Sequence, residues 1–402
     1  MSLISSRLKL IKPSPTLMVT QKASELQKAG KDIISLGVGE PDFDTPDNIK
    51  KAAINGIRSG KTKYTNVDGM PELKSAIQDK FKRENGLDYN LEEIIVSCGG
   101  KQVIYNLFMA SLDIKDEVII PAPYWVSYID ITVLAGGTPA IVACELQEDF
   151  KITPQKLEHA ITAQTKWLII NSPSNPTGSA YTYEELSAIA EILRKYPHIY
   201  VMSDDIYEHI IFDDFKFYNL VQVAPDLKNR IFIVNGVSKS YSMTGWRIGY
   251  GAGPKELIKA MTILQSQSTS NPSSISQVAA IEALNGTQNF IKPNAASFQK
   301  KRDLALEILN STKGLECYMP EGAFYLFPKC SSLFGFKTGK GDIINNSNDL
   351  GKYLLEEANV AIVPGIAFGL DGYFRISCAT SNEELTKACN RIKDACDRLN
   401  ND

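Results

Sequence analysis

Short apolar runs rich in β-branched residues recur through the middle of the chain: EIIVS at 93–97, EVIIP at 117–121, AIVAC at 140–144, KWLII at 166–170, IYVMS at 199–203 and RIFIV at 230–234. They have the length of strands and little polar alternation, so each predicts a strand buried on both faces. Between several of them, apolar residues recur at helical spacing, as in KQVIYNLFMASL (101–112) and TYEELSAIAEILRKY (182–196). The alternation predicts an α/β fold in which a mainly parallel sheet is sandwiched by helices. Ligands of such sheets bind in the crevice beyond the carboxyl ends of the strands.

From about residue 290 the pattern changes to a charged helix (QKKRDLALEILNS), a hairpin-like GAFYLFP and a final helix (SNEELTKACNRIKDACDRL). This predicts a smaller α+β domain, with the Pro- and Gly-rich N-terminal segment packing against it. The expected division is an arm at 1–45, a large domain at 46–290 and a small domain at 291–402.

Charge narrows the function classes. Against 43 basic residues stand 46 acidic ones, a net charge of -3, so no basic surface for nucleic acid or an anionic membrane is expected. The opening MSLISSRLKLIKPSPT lacks the uninterrupted apolar core of an export signal, and no run approaches the ~20 apolar residues of a membrane span. A cytoplasmic protein acting on small molecules is the expectation. Seven cysteines never spaced as CxxC, and three histidines without HExxH, predict neither disulfides nor a metal site.

The unusual polar residues cluster just after the predicted strands: GGKQ, PYW, NSPSNPTG, DDIYE and NGVSKSYSMTGWR. Lys239 and Arg247 flank a loop of small residues. A nearby cation and partial burial lower a lysine pKa and make the amine nucleophilic, although a surface lysine fits the same pattern. Asp204 ends a strand, where an aspartate can pair with a pyridinium nitrogen or simply cap a helix. Asp205 beside it reads as solvated or capping. Tyr207 and Asn175 can hydrogen-bond a cofactor oxygen, or serve packing and a turn. Gly99, Gly100 and Lys101 open a helix after a strand, an arrangement suited to a phosphate but common without one. Arg247 is its natural second ligand. Trp125 can stack on a flat ring or fill the core. Arg375, in the alternating GYFRISCAT, needs a carboxylate partner if it faces inward, and a substrate carboxylate would provide one.

SKSYSMTGWRIGY, NSPSNPTG, SDDIYEH and GYFRISCATS together resemble the fold-type I aminotransferases that depend on pyridoxal 5'-phosphate, and specifically the bacterial aspartate aminotransferase subgroup. The likeness runs from IKPSPT to the last helix. It implies that Lys239 holds the cofactor covalently, Asp204 pairs with its ring nitrogen, Tyr207 and Asn175 contact its ring oxygen and Trp125 stacks on it. Gly99, Gly100, Lys101, Arg247 and Ser238 would hold the phosphate. Arg375 and the backbone of Gly39 would take the substrate α-carboxylate, and Lys12, Thr16 and Lys101 its distal carboxylate. Tyr64 resembles a tyrosine donated across a dimer interface, which implies a homodimer. Gly236 departs from relatives that carry a serine three residues before the lysine, removing one phosphate contact.

The implied reaction is transfer of an amino group between an amino acid and a 2-oxo acid, with aspartate and 2-oxoglutarate first and prephenate as a further substrate. An aromatic or branched-chain aminotransferase, a C–S lyase or a cyclopropane-forming synthase of the same fold is the main alternative. A cofactor-binding regulator would need a basic DNA-binding module, which the sequence does not contain.

Overall fold

In the computed structural model, which describes residues 3–400, the apolar runs line up in one seven-stranded sheet. Its strands are β1 (Ile94–Ser97), β2 (Glu117–Ala122), β3 (Thr138–Ala143), β4 (Thr165–Asn171), β5 (Tyr200–Asp204), β6 (Ile231–Gly236) and β7 (Gly249–Ala252), in the spatial order β1-β7-β6-β5-β4-β2-β3. Only β7 runs against its neighbours. The remaining pairings are parallel, so the carboxyl ends of β1, β2, β4, β5 and β6 share one edge.

The sheet is covered on both faces because its strands are apolar on both. Ile119, Leu168, Val201 and Ile233 pack with Leu186 and Ile189, while Ile120, Ile169, Met202 and Phe232 pack on the other side with Val103 and Leu107. Two strands differ from the sequence pattern. β3 is the sheet edge, flanked only by β2, and leaves Ile141 52% exposed rather than buried. β7 escapes detection because it is GYGA: a Cβ on Gly249 would come within 2.2 Å of the Gly100 nitrogen, and one on Gly251 within 2.4 Å of Phe232. Only glycine lets this strand pass so close.

The helices that frame the site are α1 (Pro15–Lys28), α2 (Gly100–Ser111), α3 (Tyr183–Lys195), α4 (Ile291–Asn310) and α5 (Asn382–Asp397). Thr182 and Glu185 cap α3 reciprocally, which fixes its start. A second apolar cluster gathers Ile34 and Leu36 with Leu309 of α4, Val360, Phe374 and Ile392 of α5. Ile34–Ser35 pairs in parallel with Val360–Ala361. The segment GAFYLFP is not a hairpin: β8 (Tyr325–Leu326) pairs with β10 (Phe374–Ser377), which also pairs with β9 (Val363–Pro364). With both its residues buried, β8 finds its partner far along the chain. Residues 1, 2, 401 and 402, the ends of the terminal segments, lie outside the described residues. No helix of the described residues is long and apolar enough to cross a membrane.

Candidate active site

A cavity of about 350 Å³ opens at the carboxyl edge of the sheet. It brings together Lys239, Asp204, Tyr207, Asn175, Trp125, Ser238, Gly100, Lys101, Arg247, Arg375, Gly39 and Thr16, side chains and turns from the sheet edge, from β10 and from α1.

Lys239 lies on the turn after β6, and its Nζ donates to the Gly39 carbonyl at 2.5 Å. Burial pushes its pKa down to about 8, with Arg375 adding to the effect. Arg247, the cation closest in sequence, acts less than Arg375. Asp204 ends β5 and is buried. Its Oδ2 accepts from the Tyr128 hydroxyl at 2.6 Å, and burial raises the carboxyl to about 6 against that hydrogen bond. Asp205, expected in solvent, is buried instead because β5 carries it into the core. Its Oδ1 accepts from Ser203 at 2.7 Å, and burial lifts its pKa well above the usual carboxylate range.

Arg375 is only 2% exposed. Nη1 donates to Asn175 Oδ1 at 2.8 Å and Nη2 to the Gly37 carbonyl at 2.6 Å. The guanidinium lies between two rings, 4.6 Å from Tyr325 and 5.1 Å from Phe368. Among the described residues no carboxylate pairs with it, and its Nε has no partner. A buried guanidinium that no carboxylate of the protein neutralises is suited to an anionic ligand. Tyr207 completes this wall, its hydroxyl 2.9 Å from that of Tyr325.

At the other end, Gly99 caps α2 with φ +92, and a Cβ there would lie 2.1 Å from Arg247 Nη2. Arg247 thus lies across the N-terminus of α2, where backbone amides and the helix dipole favour an anion. Lys101 places its ammonium 5.0 Å from the centre of the Trp125 ring. Two expected residues stay away from the cavity: Lys12 is exposed outside its lining, and Tyr64 is 92% exposed.

Tyr128, Asn171 and Tyr325 are among the lining residues that escaped the sequence reading. Tyr128 stands three residues after Trp125 on one helical turn, a spacing that signals a shared face. Asn171 donates to the Asp204 carbonyl at 2.9 Å and accepts from the Asn175 N–H at 2.9 Å, and its place at the end of β4 was the available signal. Tyr325 comes from β8 and carries no local signal.

The decisive comparison is with a family model for aminotransferase class I and II, which matches residues 31–392. The chain belongs to the class I and II aminotransferases. It is similar to a "probable aspartate/prephenate aminotransferase" of Rickettsia felis, 72% identical over 98% of this chain and 97% of that one. An aspartate/prephenate aminotransferase of Cereibacter sphaeroides is 56% identical over 98% and 99%. Among solved structures, the aspartate aminotransferase of Rhizobium meliloti superposes with a TM-score of 0.97 at 52% identity, covering 99% of this chain and all 100% of that one. That of Thermus thermophilus with maleate gives 0.92 at 42%, covering 98% and 100%.

Aminotransferases of this class depend on pyridoxal 5'-phosphate, and the residues present fit it. A lysine with a depressed pKa, a buried aspartate beneath the cavity and a glycine cradle closed by an arginine are the donor set for an aldehyde, a ring nitrogen and a phosphate.

Proposed function

We propose that this aminotransferase exchanges amino groups between L-aspartate and 2-oxoglutarate, giving oxaloacetate and L-glutamate, and that prephenate is a further substrate. The observation that carries the chemistry is the meeting of Lys239, Asp204 and the unpaired Arg375 in one cavity. Lys239 would hold pyridoxal 5'-phosphate, with Asp204 at its ring nitrogen, Tyr207 and Asn175 at its ring oxygen and Trp125 at its face. The Gly99–Lys101 turn, Ser238 and Arg247 would take the phosphate.

When bound, the cofactor supplies a carbonyl that takes up the amino group and an electron sink for the bonds at the substrate Cα. The protein does the rest. Arg375 and Gly39 grip the α-carboxylate and orient Cα towards Lys239. The Lys239 amine, whose lowered pKa of about 8 gives it a neutral fraction near neutral pH, takes the Cα proton at Nζ. Asp204 keeps a negative charge on the cavity floor, and Tyr207 supplies a hydroxyl.

Acidic specificity is supported by the names of the relatives and by Lys101 and Thr16, which line the same cavity. Lys12 is assigned to the distal carboxylate on the resemblance alone. Half-reactions with aspartate, tyrosine, alanine and prephenate test the assignment, with aspartate expected fastest. Alanine or an aromatic acid outrunning it by about tenfold, a difference of about 1.4 kcal/mol, would overturn it.

The working unit in this reading is a homodimer with shared sites. Tyr64 is 92% exposed, which suits a side chain offered to a partner. A cytoplasmic location agrees with seven unpaired cysteines, six of them buried. The division into 1–45, 46–290 and 291–402 belongs to the same proposal, with the cavity between the parts.

A further inference from the structure

Behind the turn that carries Lys239 lies a cluster of charged side chains that none of the steps above uses. His209 bridges two elements: Nδ1 is 3.1 Å from Ser240 Oγ, and Nε2 is 2.9 Å from Glu84 Oε2. Glu84 belongs to a single π-helical turn, Phe81–Asn85, that extends the helix Pro71–Lys80. Lys80, fully buried, pairs with Glu208 and lies 3.6 Å from Glu84. Glu208 also accepts from Asn235 Nδ2 at 2.6 Å. Asn235 and Ser240 bracket the turn, so it is held from behind at two points.

Glu84, Glu208 and His209 bring their ligand atoms within 4.8 Å of one another, a spacing that suits a metal ion. The Lys80 ammonium already sits against both carboxylates, so the cluster has its cation. What remains is direction. The Glu84 carboxyl is held at about 2, since His209 and Lys80 outweigh the cost of burying it, and it stays an acceptor. A charged acceptor at Nε2 places a ring proton there, and Nδ1 shares a hydrogen bond with the Ser240 hydroxyl. His209 follows Asp204 and Tyr207 on one short segment. Its bond to Ser240 therefore ties the segment presenting the acid and the phenol to the turn presenting the amine.

We propose that His209 is a positioning residue for Lys239, acting through Ser240; this rests on the role given to Lys239 above. Misplacing a reacting group by about 1 Å can cost on the order of 100-fold in rate, so a tie that fixes one turn against another is enough to matter.

Side-chain geometry supplies the test. His209→Asn keeps a polar group where Nδ1 was and loses the reach to Glu84, whereas His209→Gln does the reverse. In the holoenzyme, His209→Gln and Ser240→Ala should each lower the half-reaction rate roughly tenfold with KM changed less than about twofold. Both should also move the pH midpoint of the bound cofactor's absorption in the same direction. His209→Asn should recover most of the rate, and the double variant His209→Gln with Ser240→Ala should be no slower than either single. Equal loss in the Asn and Gln variants, or a silent Ser240→Ala, overturns the proposal. Should His209→Gln not fold, Ser240→Ala and its absorption midpoint decide alone. Failure of the underlying reading looks different: cofactor would then be fixed by borohydride at a lysine other than 239.

Discussion

At the floor of the cavity Lys239, Asp204, Tyr207 and Arg375 are each held by a hydrogen bond from a distant part of the chain, whereas at its mouth Arg247 is exposed, and beyond its lining Lys12 is exposed and Tyr64 has no cover. The floor is finished: its dipoles and charges are fixed in a low dielectric before anything binds, the condition under which electrostatics contributes most to catalysis. The mouth is unfinished. Charges there are screened by water and contribute little until a phosphate, a substrate carboxylate or a second chain covers them. Chemistry is thus built into one chain, while retention of the cofactor and choice of substrate depend on what closes over it.

Substitutions along this gradient should fall off in effect from floor to mouth. Lys239→Ala should lower turnover about 10⁴-fold by steady-state assay, since it removes the general base together with the attachment point of the cofactor. A loss no larger than that of a mouth variant would erase the contrast. Asp204→Asn should lower kcat by roughly 10³-fold, and it carries a second, opposite signature. The folded pKa of Asp204, about 6, lies above its ordinary value, so its contribution to stability is present at low pH and lost as pH rises through about 6. Calorimetry of the cofactor-free chain at pH 8 should find Asp204→Asn more stable, by on the order of 3 kcal/mol, with the gain vanishing near pH 4. A destabilised Asn variant would mean that the carboxylate is not strained by burial.

Arg375→Lys should raise KM for the amino acid roughly 100-fold, the cost of losing a paired fork of donors to a carboxylate, with a smaller change in kcat. The smallest effect belongs to Tyr64, outside the cavity lining. Tyr64→Ala should weaken cofactor retention by about tenfold, the value of one hydrogen bond to a charged group. Mixing Tyr64→Ala with Lys239→Ala chains sharpens the comparison: if Tyr64 serves the partner's site, each mixed dimer holds one site with both residues, and that site recovers the cofactor retention that Tyr64→Ala dimers lack. No recovery would confine Tyr64 to its own chain.

The floor was partly legible because β4, β5 and β6 each end on a polar residue after an apolar run, and sheet topology sends such ends to one crevice. Lys239, Asp204 and Asn175 follow from that rule. Tyr128 did not, since its hydroxyl meets Asp204 across 76 residues of chain and only the folded sheet joins them. Tyr325 was hidden for the same reason, being positioned by the pairing of β8 with β10. Asp205 was misjudged because an acid after a strand usually meets water, and here the core closes over it. β7 was missed because its glycines answer to neighbouring backbone, which leaves no apolar pattern to read.

Reduction of the holoenzyme with borohydride, followed by peptide mapping, tests most directly whether Lys239 is the attachment point. The expected result is one cofactor adduct per chain on the peptide containing residues 238–247, with the Lys239→Ala protein left unlabelled. An adduct on another lysine, such as Lys101, or full activity in protein that takes no label, would contradict it.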